Sequence, residues 1–176
     1  MLRTGITEIS RLALIDGDPH HPSLLLSVAQ RLVQNVCPMR SSIRRRFFIS
    51  RQGAGYIKLL NENELLAKLQ KYEFECVTLE KLGLFEQIKL FANAECIIGM
   101  HGSGLANMIF SLPDAKVIEV VARDFPCPDF YRLANSLGLS YYLLFGESIG
   151  DANPGYKNMV APVESINSLV AELFTP

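Results

Sequence analysis

The sequence has no strong excess of charge of either sign and no long apolar run. Its 17 lysines and arginines nearly balance 18 aspartates and glutamates among 176 residues. Without a basic field, overall charge is not expected to attract nucleic acid or an anionic membrane. The one basic run, Arg44-Arg45-Arg46, precedes a predicted strand and is interpreted as its solvated entrance. No apolar stretch approaches the ~20 residues of a membrane-spanning helix, and the first four residues are not typical of a signal peptide, so we expect no transmembrane segment.

Cysteines are few and widely separated. The four thiols, Cys37, Cys76, Cys96 and Cys127, form no C-x-x-C pair, so neither a zinc site nor a redox pair is indicated. Two of them fall within apolar, strand-like runs, which favours buried free thiols in a reducing compartment. We therefore expect a cytoplasmic protein, associated at most with the inner face of the membrane.

Three catalytic signatures are missing or incomplete from residue 22 onward. No D-x-D triplet occurs there to hold a divalent ion against a nucleotide sugar; the one such triplet, Asp16-Gly17-Asp18, precedes that region. Histidine and leucine occupy the outer positions of a G-x-S-x-G elbow around Ser103, which argues against a serine hydrolase. Gly102-x-Gly104 lacks the third glycine of the dinucleotide fingerprint because Asn107 stands there, so an NAD-dependent oxidoreductase is only a minor alternative.

The hydrophobic pattern changes at Pro22. Residues 1–21 show no sustained period, although residues 12–15 could form one short strand, and we assign them to an N-terminal arm or linker. Beyond Pro22, apolar residues recur at helical spacing, with Ser23 as a candidate cap. Residues 22–176 are long enough to form one domain with a substantial core.

Five short apolar runs then alternate with helical segments, a pattern typical of a parallel sheet with crossover helices. The predicted strands cover residues 46–50, 74–78, 96–99, 116–121 and 141–145. The predicted helices after the first strand cover residues 62–71, 84–94, 103–110, 129–137 and 163–174. Gly138 is expected to end the fourth of these, and residues 146–154 to form an irregular loop. The pattern predicts an α/β, Rossmann-like three-layer domain with a five-stranded, mainly parallel sheet.

The loop after the third predicted strand, His101-Gly102-Ser103-Gly104, is the most informative motif. In open α/β sheets, ligands bind outside the carboxyl ends of the strands, where the strand order reverses. With a spatial order of 2-1-3-4-5, the loops after the first and third strands would flank that crevice. Two glycines before a helix let a phosphate approach main-chain N–H groups at the positive helix end. The alternative is an ordinary strand-to-helix turn capped by Ser103.

Further candidate ligand groups lie on the neighbouring strands and loops. Arg51 ends the first strand at the same rim, where its guanidinium could neutralise a diphosphate without a metal ion. Lys58 either reaches this site or lies on the surface. Asn61 and Glu62 either cap the next helix or face the ligand. Glu119 stands in an apolar strand, where a carboxylate needs a partner, and we assign it to ligand binding or to organising the site.

Five segments carry a family resemblance; they are residues 47–51 (FFISR), 60–65 (LNENEL), 86–94 (EQIKLFANA), 100–110 (MHGSGLANMIF) and 117–119 (VIE). Because these segments occur in this order and at these separations, the chain resembles glycosyltransferase family 61, which includes capsular-polysaccharide biosynthesis proteins. The resemblance implies a GT-B enzyme with two Rossmann-like domains that inverts the anomeric centre of the sugar and uses no metal. This chain resembles the C-terminal, nucleotide-sugar-binding domain of such an enzyme.

The resemblance also implies a donor site, whose positions fall here on Arg51, Asn61, Glu62, His101, Gly102, Ser103, Gly104, Asn107 and Glu119. Lys58 is added to these donor-binding candidates from its place in the chain alone. Arg51 and His101 would stabilise the departing diphosphate and so act as the catalytic residues. Family members often have alanine at position 103 and arginine at positions 57–58, where this chain has serine and Ile-Lys.

The implied reaction transfers a sugar from a nucleotide sugar, expected to be UDP-linked, to a saccharide or other hydroxyl acceptor, with no cofactor. No residue of the chain is a convincing general base, and we expect a separate N-terminal partner domain to supply one. The alternative is a catalytically silent nucleotide-binding or assembly module that lacks its partner domain.

Overall fold

Strands and helices alternate along most of the chain. The computed structural model describes residues 7–8, 22–39, 41–53, 55, 57–153 and 155–174. Its strands are β1 (Thr7–Glu8), β2 (Arg45–Ile49), β3 (Phe74–Val77), β4 (Ala94–Met100), β5 (Lys116–Ala122), β6 (Ser140–Ile149) and β7 (Asn158–Val160). Its α-helices are α1 (Pro22–Val36), α2 (Glu62–Leu69), α3 (Leu84–Ala92), α4 (Asp129–Leu137) and α5 (Val163–Phe174). Three 3-10 helices cover Gln70–Tyr72, Leu79–Lys81 and Ser103–Phe110.

The sheet has the strand order β1-β6-β5-β4-β2-β3, and β7 also pairs with β6. Strands β2 to β6 are parallel, in the predicted order 2-1-3-4-5, so the order reverses between β2 and β4. The predicted count of five was wrong for the whole sheet, because β1 and β7 add antiparallel strands beside β6. These strands have two and three residues, too few to show a periodicity.

The predicted loop over residues 146–154 was also wrong in part. Strand β6 continues to Ile149, and Ser148 pairs with Met159 of β7. Gly146 was interpreted as the start of a loop, but it lies inside the strand, where a Cβ would collide with the Met159 side chain and lie 3.0 Å from the Val160 carbonyl oxygen. The glycine therefore allows the side chain and backbone of β7 to approach closely, and it does not form a turn.

Both faces of the sheet are buried. Phe47, Ile97 and Val117 pack on one face against α1, α3, α4 and the Ser103–Phe110 helix. Phe48, Ile98 and Ile118 point to the other face, which α2 and α5 cover. All six side chains are fully buried, because alternate residues of a strand face opposite sides and helices cover each side. The mixed α/β class is confirmed.

The burial of the free thiols differs from the sequence prediction. Of the four free cysteines, only Cys96 is buried; Cys76 is exposed because β3 forms an edge of the sheet, and Cys37 and Cys127 are half-buried. Gly138 ends α4 in the left-handed conformation, as predicted. The predictions for residues 12–15 and for a Ser23 cap lie outside what the structure describes. No described helix combines the length and apolarity needed to cross a bilayer.

Candidate functional site

A cleft of about 230 Å³ opens where the strand order reverses, at the carboxyl ends of β2 and β4. Its lining includes five of the predicted donor-site residues, Arg51, Gly102, Ser103, Gly104 and Asn107. The loop after β3 and helix α3 contribute Leu79, Glu80 and Gln87, none of which was predicted. Parallel strands bring these sequence-distant loops to one rim because all their carboxyl ends point the same way.

The guanidinium of Arg51 lies against the backbone of Gly102. A Cβ built on Gly102 would lie 2.7 Å from Nη1 of Arg51, closer than such atoms approach. The φ of Gly102 is 163°, extended backbone open to any residue, so room for the guanidinium explains this glycine. Nε of Arg51 also donates to the carbonyl of Ile57 at 3.2 Å. Ile57 has φ 57°, an unfavourable conformation for a β-branched residue.

The segment after β4 begins a 3-10 helix, not the predicted α-helix, at Ser103. Gly102 occupies the position before it and accepts the Leu105 N–H at 3.0 Å. No side-chain cap is present at this helix start, so Ser103 does not cap it. Within the described part of the chain, the amides of Ser103 and Gly104 have no backbone acceptor. Such N–H groups at a helix start suit an anion.

Glu62 holds the loop that contains Arg51 through two hydrogen bonds. Its carboxylate accepts the Ser50 hydroxyl at 2.5 Å and the Arg51 amide N–H at 3.1 Å, and it is 3% exposed. Asn61, predicted as a cap, makes no side-chain cap. Its amide instead exchanges two hydrogen bonds, of 2.9 and 2.8 Å, with the backbone of Ala161. Neither residue lines the cleft; they fix the loops that form it.

His101 and Glu119 form a pair behind the rim. Nδ1 of His101 lies 2.6 Å from Oε1 of Glu119, whose other oxygen accepts the Tyr141 hydroxyl. Burial raises the pKa of Glu119, and the hydrogen bond and charge of His101 partly oppose that shift. Because Glu119 is fully buried, its contacts support organising the site, the second of the two roles left open by the sequence.

His101 and Lys58 do not line the main cleft. His101 lines a second, smaller cavity of about 30 Å³, together with Ile57 and Lys157. Met100 contributes to both cavities, so they lie next to each other along the rim. Lys58 is exposed and pairs through its backbone with Asn158 and Met159; it lines neither cavity.

Gln87 is the main residue that sequence reasoning missed. Its Nε2 donates to the carbonyls of Leu79 and Leu82, both at 3.0 Å, and its Oε1 accepts from Asn107 Nδ2 at 2.8 Å. It therefore ties the loop after β3 to the Ser103–Phe110 helix. A signal existed: Gln87 is a polar residue in the first turn of a helix that directly follows a loop at the ligand-binding edge.

Together, the fold and the cleft define a doubly wound α/β domain with a candidate anion site at its strand-order reversal. The described residues contain no group of three or more His, Cys, Asp and Glu side chains that could hold a metal ion. The triplet Asp16-Gly17-Asp18 lies outside those residues.

Comparison with known proteins gives a family. The model described as Glycosyltransferase 61 matches residues 7–118, more than half of the chain. The chain belongs to glycosyltransferase family 61, a family of sugar-transferring enzymes.

Similar curated proteins have related names. An "EGF domain-specific O-linked N-acetylglucosamine transferase" of Drosophila melanogaster is 36% identical over 92 residues, 49% of this chain and 17% of that protein. The chimpanzee protein of that name is 34% identical over 105 residues, 54% of this chain and 19% of its own length. A rice β-1,2-xylosyltransferase is 27% identical over 95 residues, 49% of this chain and 18% of its own length. The matched segment thus spans less than one fifth of each relative.

Proposed function

We propose that this chain is the nucleotide-sugar-binding domain of a glycosyltransferase, resembling the C-terminal half of a GT-B enzyme. The observation that carries the proposal is the contact between the Arg51 guanidinium and the glycine loop before the Ser103–Phe110 helix. A cation and the main chain at a helix start line one cleft at the strand-order reversal. That combination suits the diphosphate of a nucleotide sugar.

The chemical contribution of this domain is stabilisation of the leaving group. When an acceptor hydroxyl attacks the anomeric carbon, negative charge develops on the departing nucleoside diphosphate. Arg51 and the amides of Ser103 and Gly104 would oppose that charge, and His101 would act from the adjoining cavity. Because these groups are held in place before the reaction, they stabilise the transition state without reorganising.

The remaining parts of the reaction belong to the same proposal. The acceptor is a saccharide or another hydroxyl compound, the transfer inverts the anomeric centre, and no metal is required. A partner domain supplies the general base, in keeping with relatives that are over five times longer than the matched segment. Transfer assayed in a complex with that partner should persist in excess chelator; metal dependence would point instead to the triplet Asp16-Gly17-Asp18.

Calorimetric titration with UDP tests the donor site directly. Arg51→Ala should weaken binding by about 30-fold, because a hydrogen bond to a charged group contributes roughly 2 kcal/mol. The UDP affinity of Arg51→Lys should lie between those of the wild type and Arg51→Ala, since lysine keeps the charge but lacks the planar guanidinium. His101→Ala should weaken binding by about tenfold.

Arg123→Ala is the matched control for charge. Arg123 follows β5 at the same end of the sheet, 65% of its side chain is exposed, and it pairs with Glu147 outside the cleft. Its removal should change the UDP affinity less than twofold. Equal losses of UDP affinity in Arg51→Ala and Arg123→Ala would mean that the change in net charge, and not a contact of Arg51 with UDP, causes the effect.

A wider titration separates the alternatives. GDP and CMP in place of UDP would define another donor base, and stronger binding of NAD would favour an oxidoreductase. Nucleotide binding without transfer or donor hydrolysis, even with the partner domain present, would favour the catalytically silent module. Absence of binding to every nucleotide would contradict the proposal.

A further inference from the structure

Three hydrogen-bonded side chains lead from the loop after β4 into the buried face of the sheet. They are His101, Glu119 of β5 and Tyr141 of β6, joined through the two oxygens of the Glu119 carboxylate. Glu119 is 0% and Tyr141 4% exposed, whereas 23% of the His101 side chain is accessible. Of the three, His101 alone can contact a ligand, so the other two act through it.

The chemistry of the carboxylate matches its two neighbours. An ionised carboxylate only accepts hydrogen bonds, and it therefore suits the hydroxyl of Tyr141 and a proton on Nδ1 of His101. When a neutral imidazole carries its proton on Nδ1, Nε2 becomes an acceptor, and a second proton turns Nε2 into a donor. The ring itself packs on Phe130, with centroids 5.0 Å apart. The Glu119 carboxylate and the Phe130 ring thus both contact the His101 ring from inside the domain.

We propose that Tyr141 is a positioning residue for His101. Its hydroxyl holds the Glu119 carboxylate ionised and oriented, and that carboxylate keeps a proton on Nδ1 of His101. The catalytic consequence rests on the proposed function, because only a bound donor gives the remaining ring nitrogen a phosphate or leaving group to act on. The hydrogen-bonded arrangement itself does not depend on that assignment.

The surroundings of Glu119 make a second donor important. Burial is the largest influence raising the pKa of Glu119, and the charge of Asp129, at the start of α4, raises it further. The neighbouring thiol of Cys127 also interacts electrostatically with this carboxylate. Against these influences, the hydrogen bond and charge of His101 lower the pKa. A hydroxyl donating to the ionised form acts in the same direction as His101.

Tyr131 provides a matched control within the same cluster. It lies on α4, is 5% exposed, and packs edge-to-face on Tyr141 with ring centroids 5.7 Å apart. Its buried hydroxyl has no hydrogen-bond partner among the described residues. Tyr131→Phe and Tyr141→Phe therefore remove the same atom from adjacent buried rings, but only the second removes a bond to Glu119.

The experiment is nitrogen NMR on ¹⁵N-histidine-labelled protein, with His101 assigned among the three histidines through His101→Gln. In the wild type, Nδ1 of His101 should carry a proton. The chemical shift of this nitrogen, plotted against pH, should show an inflection where Glu119 titrates. In Tyr141→Phe that inflection should move upward by about one pH unit, because the ionised carboxylate loses a donor. Tyr131→Phe should leave it in place.

Glu119→Gln covers the case in which Tyr141→Phe does not fold. It should abolish the inflection, since the group that titrates is gone. A wild-type His101 protonated on Nε2 alone, an unchanged inflection in Tyr141→Phe, or equal shifts in both tyrosine variants would overturn the proposal.

UDP titration of the same samples separates the two proposals. If the inflection moves but the wild type binds no nucleotide, the proposed function fails and the positioning role stands. If UDP binds and the inflection does not move, the positioning role fails and the donor site stands.

Discussion

The two ends of the parallel sheet hold arginines in different chemical settings. At the amino end, three consecutive arginines pair with carboxylates; the pairs are Arg44–Asp114, Arg45–Glu75 and Arg46–Glu95. At the carboxyl end, Arg51 donates to the carbonyl of Ile57 and lies against Gly102. Local charge density alone therefore does not identify an anion site; the glycine loop that lines the cleft beside Arg51 distinguishes the carboxyl end.

The buried acids extend this comparison. At the amino end, Glu75 and Glu95 are partly exposed and each is joined to one arginine. At the carboxyl end, Glu62 and Glu119 are buried and hold loop atoms or the His101 ring. Exposed ion pairs contribute little to stability, whereas removing a buried acceptor leaves donors unsatisfied. The carboxyl end should therefore be far more sensitive to single substitutions.

Glu62→Ala should produce the largest effect. It removes the acceptor of the Ser50 hydroxyl and of the Arg51 amide and leaves a cavity, so the free energy of unfolding should fall by about 3 kcal/mol. Glu64→Ala, on the exposed side of the same helical turn, should cost less than about 0.5 kcal/mol. Urea unfolding measures both variants, and equal losses would contradict the role assigned to Glu62.

Gly102→Ala should separate binding from stability. Its Cβ would displace the end of the flexible Arg51 side chain, so UDP affinity should fall about tenfold while the free energy of unfolding changes by less than about 0.5 kcal/mol. Gly55→Ala, at the same rim with no atom within 4 Å of its Cβ, should leave both quantities unchanged. Unaltered UDP affinity in Gly102→Ala would contradict the proposed role of Arg51 in binding UDP.

The two ends should also respond to pH in opposite directions. The pKa of Glu119 is raised by burial, so stability should decrease as the pH rises from about 4.3, the value in unfolded chains, through the raised pKa. The pKa of Glu75 is lowered by its hydrogen bond to Arg45, so its contribution is lost as the pH falls below about 4.3. Glu119→Gln should flatten the first dependence and Glu75→Gln the second, in urea unfolding at pH 3 to 8. If either substitution changed both pH dependences of the free energy of unfolding, the assignment of one dependence to each end of the sheet would be contradicted.

Arg45→Ala should give the smallest effect. Arg45 and Glu75 are 40% and 47% exposed, so the loss should be about 0.5 kcal/mol and should diminish in high salt. UDP affinity should not change, because this pair lies at the opposite end of the sheet. A loss of UDP affinity matching that of Arg51→Ala would contradict the distinction between the two ends.

Much of the fold could be predicted because periodicity is a local property. Helices α4 and α5 have the predicted bounds, and the five parallel strands lie within a few residues of their predicted positions. The errors have local causes as well. Strands β1 and β7 are too short to show a period, and Gly146 resembles a turn residue when its cross-strand neighbour is unknown.

The candidate site could be predicted only in part. A strand, two glycines and a helix-forming segment suffice to mark the loop His101-Gly102-Ser103-Gly104, and Arg51 ends a neighbouring strand. The contacts of individual polar side chains could not be predicted from the sequence. Asn61 binds Ala161, one hundred residues away, instead of capping α2. Gln87 was placed in a helix and in a family segment, but it was not assigned to the site.

The sequence by itself determined the α/β alternation, the order of the loops and the residues available at their ends, since these depend on neighbouring residues. Tertiary structure alone decided which polar groups meet: Glu62 with the Arg51 amide, Gln87 with Asn107, and Tyr141 with Glu119. Such pairs arise from the packing of distant elements. Hydrogen bonds require contact within about 3 Å, a distance that no sequence spacing specifies.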